Sequence, residues 1–119
     1  PFLVELETHV LCGTHAIAQL QGPVELYLAD AKEPFEGLRG DAVHTYPGDV
    51  CGRDTGGIIF SMIAGADART CAKDGSFHVF YPVFGVPGQD PAALRAVQTR
   101  MAEYAGVLAK NAQISCKLI

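Results

Sequence analysis

The run Asp90-Pro91-Ala92-Ala93-Leu94-Arg95-Ala96-Val97-Gln98-Thr99-Arg100-Met101-Ala102-Glu103-Tyr104-Ala105-Gly106-Val107-Leu108 decides the fold class. Asp90 has the short acceptor side chain that caps a helix start, and Pro91 suits the first helical position, where no N–H is needed. Leu94, Val97, Met101, Tyr104 and Leu108 then recur at alternating spacings of three and four, which draws one apolar stripe along a helix. Arg95, Thr99, Arg100 and Glu103 fall largely on the other side. Working outward, Phe77–Val86 reads as a strand that Pro82 forces to an edge or a bulge. On the other flank, Ile114, Cys116 and Leu118 alternate with Ser115 and Lys117 as a final strand. A strand–helix–strand tail follows, long enough for its two strands to lie parallel in one sheet.

The front of the chain reads as strands. Phe2, Val4 and Leu6 alternate with Leu3, Glu5 and Glu7, a period of two. Val24, Leu26 and Leu28 alternate with Glu25 and Tyr27 after the Gly22-Pro23 break. Residues 14–21 suit either a short helix or an irregular strand. Residues 31–49 are mostly loop, with a short strand near Val43–Thr45. Ile58–Ile63 is a nearly continuous apolar run between Gly57 and Gly65, the pattern of a strand buried on both faces. The expected architecture is α+β, a mixed sheet carrying one long C-terminal helix, with no linker or repeat to divide residues 1–119 into more than one domain.

The chain has 119 residues, of which 49% are hydrophobic and 18% charged, so it has the core-forming inventory that disordered chains lack. A net charge of −4 without a Lys/Arg cluster argues against nucleic acid. No apolar run reaches the ~18–20 residues of a membrane span, and no leader pattern opens the chain. Cys12, Cys51, Cys71 and Cys116 are widely spaced among apolar or small neighbours. They read as free thiols of a cytoplasmic protein, while two disulfides would leave three connectivities open. One helix cannot cover the apolar faces of five or six strands, so a homo-oligomer is expected.

Three constellations can carry chemistry. Pro1 opens directly into Phe2-Leu3-Val4. Burial disfavours the charged form of an amine, so a prolyl amine at the mouth of an apolar pocket is a candidate general base. Arg39 and Arg53 are candidates to hold a substrate carboxylate, and His44, Tyr46 and Tyr81 to supply a proton to an enolate oxygen. His9, Cys12 and His15 offer metal-ligand types at spacings of three, though in a strand the two histidines would stand about 20 Å apart. The glycine-rich loop Tyr46–Gly57 could present N–H groups to an anion beside Arg53, but it matches no phosphate-loop motif.

Pro1 at the head of a strand, together with the strand–helix–strand tail over Phe77–Ile119, resembles the tautomerase superfamily. The resemblance covers about 10 residues at the start and 40 at the end. It implies a pair of β-α-β units, trimeric or hexameric assembly, and proton transfer by Pro1 in enol–keto or related chemistry. The sequence departs from that family where a long helix should follow the first strand, because Gly13, Gly22 and Pro23 leave room only for a short one. The expected function is a cofactor-free isomerase or lyase acting on a small carbonyl or carboxylate compound. The alternatives are a non-enzymatic module that binds a small ligand or builds an oligomer, and a metal-dependent hydrolase or lyase using His9, Cys12 and His15.

Overall fold

A computed structural model describes residues 1–117. The fold is α+β, with antiparallel sheets and a long C-terminal helix. Residues 14–80 form one compact unit, and residues 1–13 with 81–117 form another.

The unit of residues 14–80 is built on sheet. Strand β1 (His15–Ala16) leads into a single 3-10 turn (Ile17–Gln19), followed by β2 (Glu25–Leu28), β3 (Pro34–Glu36), β4 (Ala42–His44), β5 (Val50–Asp54), β6 (Gly57–Ser61), β7 (Gly65–Ala66) and β8 (Val79–Phe80). The main sheet has the order β2-β5-β6-β7, β3 and β4 form a hairpin, and β1 pairs with β8. The run at Ile58 lies in an interior strand, with Ile59, Phe60 and Ser61 all buried. It stops at Ser61 because the Ser61 hydroxyl accepts from the N–H groups of Ile63 and Ala64 and turns the chain. Gly52 on β5 has no replaceable hydrogen, since the Phe60 ring lies against its Cα.

The other unit pairs a short helix α1 (Phe2–Thr8) with the long helix α2 (Pro91–Leu108). Asp90 caps α2 as its sequence requires, its side chain accepting from the Ala92 N–H at 2.8 Å. Val97 and Met101 are buried with Val4 and Val10, and Leu94, Tyr104, Cys12 and Val83 pack against them. Leu108 departs from the expected stripe. It is 89% exposed.

Three strand expectations are corrected. Residues 2–8 are helical: Leu, Glu and Val in this window suit both periods, and burial of Val4 against α2 selects the helix. The Pro1 carbonyl accepts from the Glu5 N–H, and His9 ends the helix in the left-handed region at φ 55°. So short a helix is marginal alone. It is fixed by Glu7, which takes Arg100 at 2.7 Å and the Tyr104 hydroxyl, and by Glu5, which accepts the Cys12 N–H. The strand expected over residues 77–86 is only Val79–Phe80, ending ahead of Pro82, with an isolated bridge between Cys12 and Val83 beyond it. Residues 112–117 form no strand and are all exposed, so their alternation has no surface to bury on. The end of that expected strand, Leu118 and Ile119, lies outside the described residues. Every strand pair is antiparallel, so neither the mixed sheet nor the parallel crossover forms among the described residues. Among the described residues no helix is long and apolar enough to cross a membrane.

Candidate functional site

Within residues 14–80, a cleft of about 510 Å³ opens between the 3-10 turn, the segment after β7 and the loop before β8. Its volume falls in the range of small-molecule sites. The chemistry on its walls comes from Arg69, Lys73, Asp74, Ser76 and His78, with Phe77 among the lining residues. Two backbone bonds hold its sides together: Ala16 N–H to Thr70 C=O at 2.7 Å and Ile17 N–H to His78 C=O at 3.0 Å. The loop between them turns at Asp74-Gly75, where Gly75 takes φ 84°, a value that favours glycine. Lys73 N–H donates to the Ser76 hydroxyl, and Ser76 N–H returns a bond to the Lys73 carbonyl.

Arg69 is the best-anchored side chain in the cleft. Its Nη2 donates to Asp54 Oδ1 at 2.8 Å, and Nη1 donates to Asp54 Oδ2 at 3.1 Å and to the Gln19 carbonyl at 3.0 Å. Nε stands 3.7 Å from Asp67 Oδ2, too far for a hydrogen bond. Of the five guanidinium hydrogens, three are bonded, the one on Nε belongs to the ion pair with Asp67, and one on Nη2 makes no hydrogen bond. Burial of Asp54 acts to raise its pKa. The bonds from Arg69 and from the Gln21 and Gly56 N–H groups outweigh it, so the carboxyl sits below its ordinary 3.8 and stays charged.

Behind Arg69 runs a fully buried relay. Asp67 accepts from the Thr70 hydroxyl in a short bond, and Thr70 Oγ1 lies 2.8 Å from His15 Nδ1. A carboxylate can only accept, so Thr70 donates to Asp67 and accepts from His15, which places the imidazole proton on Nδ1. His15 Nε2 is left buried without a partner, and the ring is flanked by Phe60 and Phe80 at 6.1 and 6.2 Å. Burial holds the His15 pKa below 6.5, partly opposed by Asp67, so the ring is neutral at physiological pH. This chain of bonds fixes Asp67, and Asp67 and Asp54 together fix Arg69.

The residues singled out from the sequence are dispersed. His44 and Tyr46 do meet, edge to face at 4.6 Å, with Lys32 Nζ 5.5 Å above the Tyr46 ring. Arg53 is committed to Glu25 at 2.9 Å and lies over the Tyr27 ring. Arg39 stands exposed in the tip of the β3–β4 hairpin. Pro1 and Tyr81 belong to the other unit, and both are exposed. Pro1 heads a helix in contact with water, so the apolar surroundings expected of it are missing. The His9, Cys12 and His15 constellation is divided between the two units, with His9 and Cys12 in one and His15 in the other. His9 is the exposed cap of α1, Cys12 Sγ bonds the Val10 carbonyl with its thiol pKa pushed up by burial, and His15 gives Nδ1 to Thr70. Among the described residues no three His, Cys, Asp or Glu side chains are grouped to hold a metal ion.

A second polar cluster lies inside the main sheet. Cys51 is wholly buried beside Tyr27 and Asp49, and burial first, then the Asp49 carboxylate, pushes its thiol up to about 11. A thiol so far above neutrality is no nucleophile. The disulfide alternative also fails, since all four cysteines are free.

No family model matches the sequence, and neither does any curated protein.

Proposed function

We propose that the chain is a binding module for a small carboxylate, taken up in the cleft of residues 14–80. The observation that carries this reading is the anchored guanidinium of Arg69, which opens onto a cleft also lined by Lys73. Fixing a flexible side chain on binding costs entropy, and Arg69 is already fixed by two buried carboxylates and a carbonyl. Asp54 and Asp67 outweigh its charge and Asp74 adds a further carboxylate to the wall, so the ligand's negative charge has to be met by Lys73. Among the described residues no carboxylate lies within ion-pair distance of that ammonium. Modest affinity follows, on the order of millimolar for a ligand of some ten atoms. This is the binding counterpart of a small-carboxylate enzyme, and it needs neither a buried Pro1 nor a metal.

Titration with benzoate and with its neutral amide, benzamide, tests the reading by calorimetry. Benzoate should saturate and benzamide should not, and Lys73→Met should weaken benzoate roughly tenfold, the worth of one charge-assisted hydrogen bond. Equal binding of the amide would refute a charge-reading site.

Self-association is a further part of this proposal. Strand β2 is an edge of the main sheet, and its Leu26 and Leu28 are 67% and 68% exposed. Pairing of this edge with a second copy would satisfy its free backbone groups and set both side chains beside cross-strand neighbours. Light scattering that returned only the 12.6 kDa monomer at high micromolar concentration would contradict it.

A further inference from the structure

Phe77 is 96% exposed, although it sits between residues that are held in place. On one side, the mutual bonds of Lys73 and Ser76 close a turn. On the other, the His78 carbonyl accepts from Ile17, and Val79 enters β8. The backbone at Phe77 is thus fixed by bonds on both flanks, while its ring touches almost nothing. A ring left in water costs apolar solvation that burial would recover, and nothing else in residues 14–80 covers it. The residue belongs to the rim of the same cleft that Lys73 and Arg69 line, and Ala16 and Ala18 present only methyl groups there.

We propose that Phe77 is a stacking residue, and that the cleft therefore selects a carboxylate attached to a planar aromatic ring over one attached to an aliphatic ring. This rests on the reading of the cleft as a carboxylate site and adds the shape of the ligand to it. The carboxylate meets Lys73 and the unbonded Nη2 hydrogen of Arg69, and the ligand's ring lies against the Phe77 face. Because the backbone is already held, closure needs only rotation of one side chain, which is a small ordering cost. An offset aromatic pair adds discrimination of roughly three- to tenfold beyond the area it buries.

The test compares benzoate with cyclohexanecarboxylate, which has the same charge and similar bulk but no π-face. The wild-type protein and Phe77→Ala are titrated with each, and the mass of both proteins is followed by light scattering. The expected result is a three- to tenfold preference for benzoate in the wild type. It should vanish in Phe77→Ala, whose fold is unchanged by loss of so exposed a ring and which still binds both acids weakly. If both acids bind the wild type equally, the stacking role is overturned while carboxylate binding stands. If neither binds, the carboxylate reading falls and this inference with it. A Phe77→Ala protein that keeps the preference but loses mass would show the ring to be a contact between copies, which also overturns the proposal.

Discussion

Gly52→Ala should be among the most damaging small substitutions in the chain. A methyl built on Gly52 would overlap Phe60 Cε1 and stand 2.8 Å from both Cδ1 and Cζ, well inside the 3.4 Å at which ordinary contact begins. The Phe60 ring cannot swing into solvent to relieve this, because it is 4% exposed and faces His15 at 6.1 Å. Either β5 or the ring must shift, and over-packing of this kind costs about 3 kcal/mol. Urea unfolding of Gly52→Ala against wild type measures the loss. Gly106→Ala is the matched control: it lies in α2 with nothing within 4 Å of the added methyl, and should gain about 0.5–1 kcal/mol of helix propensity. A Gly52→Ala protein within 0.5 kcal/mol of wild type would refute the packing of Phe60 over β5, and with it the support of His15.

Met101→Ala should cost about 2–4 kcal/mol, since Met101 is buried against Val4 and Val97, whereas Leu108→Ala should change stability by less than about 0.5 kcal/mol. Equal losses at both positions in thermal unfolding would place the α2 face wrongly. Acid should destabilise the unit of residues 14–80 in two stages. The His15 pKa is held below 6.5, so between that value and the lower folded value the unfolded chain binds more protons. Stability is complete above pH 6.5 and falls as pH drops below it. Asp54 is likewise lowered, so its contribution is full above 3.8 and is lost as pH falls through the folded value. Stability that stayed flat from pH 7 to pH 5 would contradict a neutral buried His15.

The elements legible in the sequence were those whose local chemistry agrees with their packing. Asp90-Pro91 announces the start of α2 by capping alone, and Ile58–Phe60 announces an interior strand by apolar content bounded by glycine. Residues 2–8 misled because Phe2, Leu3, Val4 and Leu6 fit both periods, and what selects the helix is distant in sequence: Val97 and Met101 against Val4, and Arg100 on Glu7. The end of the α2 stripe misled for a related reason, as periodicity says which side Leu108 takes and nothing about whether a neighbour reaches it. The cleft left one signal, the Lys73-Asp74-Gly75-Ser76 turn beside Arg69. His15, Thr70 and Asp67 left none, because a buried polar relay joins residues 55 positions apart by side-chain bonds that no spacing rule encodes.

The most direct test of the account is amide chemical-shift mapping of the wild-type protein during titration with benzoate. A carboxylate seated in the cleft gives saturable shifts concentrated at residues 16–19 and 69–78, with the largest changes around Arg69, Lys73 and Phe77. Shifts centred instead on His44 and Tyr46, or no saturable shifts anywhere, would contradict it.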